Sequence, residues 1–193
     1  LHFISGLRAR VSRLVDSKHD QTCGYSIESE HHAPTTCAEK SLMVSSQSVT
    51  LRAMTTTDLP AVCAIEKQVQ YAPWTEKLFA DGLDRHLCLV AELDGQIVGF
   101  AVVQFVLDEA SLLNIAVDPQ LQKQGIGRIL LDEVIHRAMV KQATTVFLEV
   151  RASNRRAITL YQMAGFNEMG LRKNYYPSNN GKEDAVMMAL MVF

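Results

Sequence analysis

"LLNIAVDPQLQKQGIGR", residues 112–128, decides the fold. It opens as an apolar strand, Leu112 to Val117, and turns at Asp118-Pro119. Past the glycines the spacing becomes helical: Ile126, Leu130, Val134 and Ala138 share one face, with Arg128, Asp132, His136 and Arg137 outside. Glycine in a helix costs about 1 kcal/mol relative to alanine, so Gly125 and Gly127 at a helix start need a reason. A helix start carries unpaired backbone N–H groups and the positive end of the dipole. Side chains crowd that surface and glycines clear it. The turn therefore suits a phosphate or pyrophosphate wrapped by the amides around Gly125, Ile126 and Gly127. Gln122, Lys123, Gln124 and Arg128 add donors and positive charge. A plain strand–turn–helix corner is the other reading of the same residues. The G-x-G-x-x-G and G-x-x-x-x-G-K-[ST] phosphate motifs are both absent.

Outward from this stretch the order reads β-α-α-β-β-β-α-β-α-β-β, an α/β (α+β) domain over residues 48–193. "VTLRAM" is a strand; Thr57 or Asp58 then caps a helix that carries Pro60 in its first turn. "PWTEKLFADGL" is a second helix, begun by Pro73 and Thr75. "HLCLVAEL" and "QIVGFAVVQFVL" form a hairpin around Asp94-Gly95, a tight-turn pair. "EASLLNIAV" and "TTVFLEVR" are strands. "NRRAITLYQMAG" is a helix with Asn154 as N-cap and Gly165 as its stop. "FNEMGLRKNYY" and "DAVMMALMV" make a closing hairpin.

Residues 1–47 differ. From Asp16 to Gln47 the chain is polar with little periodicity, and is expected to be poorly ordered. Before it, Phe3, Ile4, Leu7, Val11, Leu14 and Val15 form an apolar stripe between Arg8, Arg10 and Arg13. A basic amphipathic helix and an extension outside the functional domain, ending near residue 42, are both compatible; the second is favoured. Cys23, His31, His32 and Cys37 match no common zinc spacing, so no metal is expected. The net charge of −2 and the lack of a basic stripe with interleaved aromatics argue against nucleic acid. No apolar run approaches the roughly 20 residues that span a bilayer. The cysteines at 23, 37, 63 and 88 have no short spacing and read as reduced thiols of a cytoplasmic protein.

The run Gln122-Lys123-Gln124-Gly125-Ile126-Gly127 behind "LLNIAVDP" resembles the coenzyme A signature of the GNAT superfamily of N-acetyltransferases. "LEVRASNRRAITLYQMAGF" is similar to the next two elements of that fold. "DEASLLNIAVDP" with "NYYPSNNGKEDAVMMAL" resembles the RimI branch, the ribosomal-protein-alanine N-acetyltransferases. One departure is "KQATT", where the branch often has a glycine near Gln142. The resemblance implies a mixed central sheet with a splayed strand pair, flanked by about four helices. It implies acetyl-CoA as co-substrate and, as acceptor, the amino-terminal alanine of ribosomal protein bS18. The sequence does not reveal the oligomeric state; a monomer is the working expectation. Backbone groups of Ile115, Ala116 and Val117 would bind the pantetheine arm, an N–H near Val117 would face the oxyanion, and Asn154 would cap its helix or also touch the coenzyme.

Two side chains are candidates for the chemistry. Glu149 sits inside an apolar strand and must face a partner or a polar space; it is a salt-bridge partner of Arg151 or, as the resemblance implies, the general base. Tyr161 is a core anchor or the general acid to the departing thiolate. An α-amine, with pKa near 8, is better matched to one modest base than a lysine near 10.4. Tyr175 and Tyr176 are expected in a loop over the acceptor side, and Asp108, Glu109, Glu183 and Asp184 are candidates for a basic peptide tail. Another amine acceptor, or a non-catalytic acyl-CoA sensor, are the competing readings; a sensor needs neither Glu149 nor Tyr161.

Overall fold

The computed structural model describes residues 40–44, 47–179 and 181–192. The amphipathic stripe and the Cys23–Cys37 group lie outside them. Among the described residues, strands β1 (Lys40–Val44), β2 (Gln47–Ala53), β3 (Leu87–Leu93), β4 (Gln96–Val106), β5 (Glu109–Val117), β6 (Thr145–Arg151), β7 (Asn167–Ser178) and β8 (Gly181–Met191) form one eight-stranded sheet, in the order β1-β2-β3-β4-β5-β6-β8-β7. The pairing of β5 with β6 is parallel and the others are antiparallel, so the sheet is mixed, as expected. The sheet begins earlier than residue 48: β1 pairs with β2 from Lys40↔Leu51 to Val44↔Gln47.

Helices α1 (Leu59–Val69) and α2 (Glu76–Leu83) cover one face; α3 (Ile126–Val140) and α4 (Arg155–Met163) cover the other. Strand alternation sorts the core between them. Leu89, Ala101, Leu148 and Val150 pack under α3 and α4, while Val90, Phe100 and Val102 pack under α1 and α2 with Phe79. The starts of α2 and α4 are those the sequence indicates: Thr75 Oγ1 accepts from Leu78 N, and Asn154 Oδ1 from Ala157 N. Asp58 stands at the N-cap of α1 but makes no side-chain cap bond to it; its carboxylate accepts from Thr55 N and Arg52, each at 2.8 Å. Asp94 and Gly95 both have positive φ, 50° and 76°, as a two-residue hairpin turn requires.

Two features shape the middle of the sheet. The register of β4 with β5 shifts between Val102↔Asn114 and Val103↔Leu112, which makes Leu113 a bulge. The pairing of β5 with β6 ends at Leu112↔Leu148. A bulge bends and twists its strand, and here it falls where β5 parts from its parallel neighbour. Beyond it, Gly99 faces Val117, and a Cβ on Gly99 would lie 2.9 Å from the Ala116 carbonyl oxygen. Glycine at 99 lets the end of β5 lie this close to β4.

Candidate active site

Past Leu112, β5 has ladder partners only on β4 among the described residues, and past Leu148, β6 has them only on β8. The segments Ile115–Val117 and Glu149–Arg151 thus present free edges to each other across a widening gap. This is the splay that the sequence leads one to expect. An extended ligand rich in amides fits such a gap as an added strand.

The glycine turn closes one end of the gap. Gly125 is the N-cap of α3 at φ 87°, with no side-chain cap bond, unlike α2 and α4. Its carbonyl takes the Arg128 and Ile129 N–H groups at 2.9 and 3.0 Å. The N–H groups of Ile126 and Gly127, in the first turn, have no intrahelical partner by geometry. Lys123 also has positive φ, 67°, so the backbone alternates into a concave run of amides of the kind that binds anions. A Cβ at Gly125 would meet nothing within 4 Å, whereas one at Gly127 would touch Leu160 Cδ2 and Val117 Cγ2, each at 3.7 Å. The open surface lies beside Gly125. Gln122 fixes the turn: its Nε2 donates to the Val117 carbonyl (3.1 Å) and its Oε1 accepts from Arg156 (2.9 Å). Arg128, expected to add charge at the turn, has its side chain on Asp132 (2.8 Å) and the Met163 carbonyl (3.2 Å). It ties α3 to α4. A diphosphate fits this uncapped, open turn.

Tyr161 comes from the α3/α4 face. It is 6% exposed, its ring 5.9 Å from that of Phe166, and no hydrogen bond to its hydroxyl occurs among the described residues. Burial pushes its pKa up to about 12. Glu149 comes from the other face, since its neighbours Leu148 and Val150 are the ones under α3 and α4. The acid and base candidates therefore stand on opposite sides of the sheet, beside the gap that would connect them.

Glu149 has a partner the sequence did not suggest. Arg172 Nη1 donates to Glu149 Oε1 at 2.7 Å. The alternative reading, a salt bridge to Arg151, is not formed; that guanidinium donates to the Pro177 carbonyl (2.8 Å), lies 3.9 Å from Glu183 and stacks on Tyr176 (4.6 Å). The cause is sheet order. Arg151, Ala185 and Arg172 are in register across β6, β8 and β7, and the small Ala185 lets Arg172 reach over β8. Tyr175 and Tyr176 are not in a loop. They lie in β7, Tyr175 inside a register shift between Arg172 and Tyr176 and Tyr176 where pairing resumes; Asp184 holds the shift by accepting from Asn174 N (2.8 Å). Arg172 stacks on Tyr175 (4.4 Å), and Tyr176 donates from its hydroxyl to the Glu149 carbonyl (3.2 Å). Burial first, then the charge of Glu149, raises the pKa of both tyrosines, that of Tyr175 to about 12.

The acidic candidates separate. Asp108 and Glu109 lie at the opposite end of β5 from the gap, about 17 Å from Asn114 at 3.3 Å per residue. Asp184 serves the register shift of β7, and Glu183 accepts from Ser153 and faces Arg151. Among the described residues no group of three or more His, Cys, Asp or Glu side chains could hold a metal, and no helix is long and apolar enough to cross a membrane.

Comparison with known proteins agrees with this architecture. Residues 54–166 match the Acetyltransferase (GNAT) family. The chain is 48% identical over 144 residues to the [ribosomal protein bS18]-alanine N-acetyltransferase of Escherichia coli K12, covering 74% of this chain and 97% of that one. The crystal structure of the ribosomal-protein-S18-alanine N-acetyltransferase from Escherichia coli superposes with a TM-score of 0.71 over 74% of this chain and 93% of that chain, at 48% identity. Arabidopsis thaliana NAA60 in complex with acetyl-CoA shares the fold at 19% identity, with a TM-score of 0.69 over 75% of this chain and 98% of that chain. With its splayed strands, its uncapped glycine turn and these relatives, the chain belongs to the GNAT acetyltransferase family and, within it, to the RimI branch.

Proposed function

We propose that the protein transfers the acetyl group of acetyl-CoA to the amino-terminal alanine of ribosomal protein bS18, by direct attack in a ternary complex. The observation that carries this is the gap between β5 and β6, with the open amide turn at its end and Tyr161 and Glu149 on its two faces. The donor is supported by the family, the acceptor by the names of the relatives.

In this reading the diphosphate rests on the amides of Ile126 and Gly127, near Lys123 and Gln124, and the pantetheine arm pairs with the free edge at Ile115–Val117. Asn154 acts as the helix cap. The acceptor amine approaches from the α1/α2 face. Its nitrogen attacks the thioester carbonyl and its proton passes to Glu149, directly or through water. The charge that develops on the carbonyl oxygen is met by an N–H near Val117. The C–S bond then breaks and its electron pair goes to sulfur on the Tyr161 side. A thiol has pKa about 8.5, below the value of about 12 for Tyr161. Tyr161 stays protonated but is a reluctant acid, so it aids the leaving thiolate chiefly as a hydrogen-bond donor. Tyr175 and Tyr176, beside Glu149, line the acceptor side. The reaction is placed in the cytoplasm, where the buried thiols Cys63 and Cys88 remain reduced.

The test is acetyl transfer to a panel of alanine-starting basic peptides, lysine peptides with blocked amino termini, and polyamines, with the product located by tandem mass spectrometry. Acetylation of the terminal alanine is expected. Faster reaction on polyamines or lysines would refute the acceptor, and acetyl-CoA binding without turnover on any amine would refute the enzyme.

A further inference from the structure

Glu66, on α1, is the most deeply buried carboxylate described, at 0% exposure among Val62, Cys63 and Ile65. Its Oε1 accepts from the backbone N–H of Trp74 (3.0 Å) and from Asn114 Nδ2 (3.2 Å). Its Oε2 is buried without a hydrogen-bond partner. An apolar side chain would avoid the desolvation cost, so stability alone does not explain a glutamate here. What distinguishes it is the pair of places it joins. Asn114 is the first residue past the Leu113 bulge, where β5 leaves β6. Trp74 lies on the connection from α1 to α2, its ring 5.3 Å from Phe79.

We propose that Glu66 is a positioning residue for acetyl transfer: one oxygen clamps the bulge that opens the β5–β6 gap and the Pro73-Trp74 connection beside it, so that donor and acceptor walls are held in one geometry. This rests on the gap being the acetyl-CoA slot. The clamp needs an acceptor oxygen and no charge. Burial pushes the Glu66 carboxyl up in pKa, while the two donors pull the other way, which suits a neutral group. Glutamine keeps the accepting oxygen; leucine keeps the bulk and loses it.

The test compares Glu66→Gln, Glu66→Leu and Asn114→Leu by thermal melting, calorimetric acetyl-CoA affinity and steady-state kinetics on whichever amine the wild-type protein acetylates best. Glu66→Gln should keep kcat within about threefold. Glu66→Leu should stay folded and hold acetyl-CoA within a few-fold, yet lose roughly 10- to 100-fold in kcat, the scale of a misplacement near 1 Å. Asn114→Leu cuts only the tie to β5 and should lose kcat in the same way; it decides the matter if Glu66→Leu does not fold. An unchanged kcat in the leucine variants would overturn the clamp, as would a glutamine variant as impaired as leucine. Wild-type failure on alanine peptides counts against the acceptor assigned above and leaves this comparison intact on the other amine.

Discussion

The two glycines of the turn face different surroundings, and this separates their roles in a way that can be measured. At Gly125 a side chain would point into open space but must adopt φ 87°. Alanine there costs about 1–2 kcal/mol of left-handed strain, or a few degrees of melting temperature for a domain of this size. If the open space is where the diphosphate lies, the methyl also pushes it off an amide hydrogen. One charge-assisted hydrogen bond is worth about 1.5–3 kcal/mol, so affinity for acetyl-CoA should fall roughly 10- to 100-fold. At Gly127 a methyl would make ordinary contact with Leu160 and Val117 at 3.7 Å. Alanine is the better helix former by up to about 1 kcal/mol, so Gly127→Ala should melt no lower than wild type and bind acetyl-CoA within about threefold. Asparagine tolerates this backbone, so Gly125→Asn separates strain from obstruction: it should recover melting temperature but not affinity. The assay is titration calorimetry with acetyl-CoA beside thermal melting of each variant. A folded Gly125→Ala protein that binds as tightly as wild type would refute the placement of the diphosphate on these amides.

The site yields further expectations. Tyr161→Phe should cost about 10- to 100-fold in kcat, the worth of a hydrogen bond to a charged leaving group, with acetyl-CoA affinity unchanged by calorimetry. Because burial raises the Tyr161 pKa to about 12, the rate profiles of wild type and variant should have the same shape below pH 10. Arg172 and Glu149 are 33% and 18% exposed; a pair of that kind is worth about 1 kcal/mol, so Arg172→Ala should lower kcat/KM about fivefold in steady-state assays. Arg172→Lys should recover only part, since an ammonium cannot both hold Glu149 and stack flat on Tyr175. Gln142, at φ 58°, ends α3: its N–H bonds the Met139 carbonyl and that of Ala143 bonds Ala138, the pattern that favours glycine. Gln142→Gly should stabilise by up to about 1 kcal/mol, seen as a higher melting temperature with kcat unchanged.

That last site shows what a single sequence makes legible. The missing glycine near residue 142 stands out against the branch that the chain resembles, and its place is readable because a helix end is a local event, set by residues that touch one another along the chain. The Asp94-Gly95 turn, the caps Thr75 and Asn154 and the glycine turn are local in the same sense, and each forms where the residues indicate. The short strand β1 has no such signal; it lies in a polar stretch and depends on its pairing with β2. The partner of Glu149 is also non-local. Seen along the strand, Arg151 is the obvious cation, two residues away on the same face. Arg172 becomes the partner only once β8 is placed between β6 and β7 with a small residue in register.

Asn114 and Glu66 mark the deeper limit. Period-two reading carried on from Ala110 and Leu112 puts Asn114 beneath α3, with them, where an amide among aliphatic side chains would make no sense. The bulge at Leu113 turns it to the other face, where Glu66 accepts its hydrogen bond. A bulge is an agreement between two strands about register, and "SLLNIAV" has no residue that announces one. In the sequence Glu66 looks like a surface glutamate of "AIEKQ", because its burial follows from α2 and the Trp74 connection folding over it. The residues that bind and react sit in motifs; those that set the width of the gap between them are defined by contacts 48 positions apart. If the clamp is right, substitutions that shift the register of β4 and β5 without touching any motif residue should still lower turnover. Gly99, where a Cβ would press on the Ala116 carbonyl at 2.9 Å, is the place where the same geometry is exposed to a single methyl group.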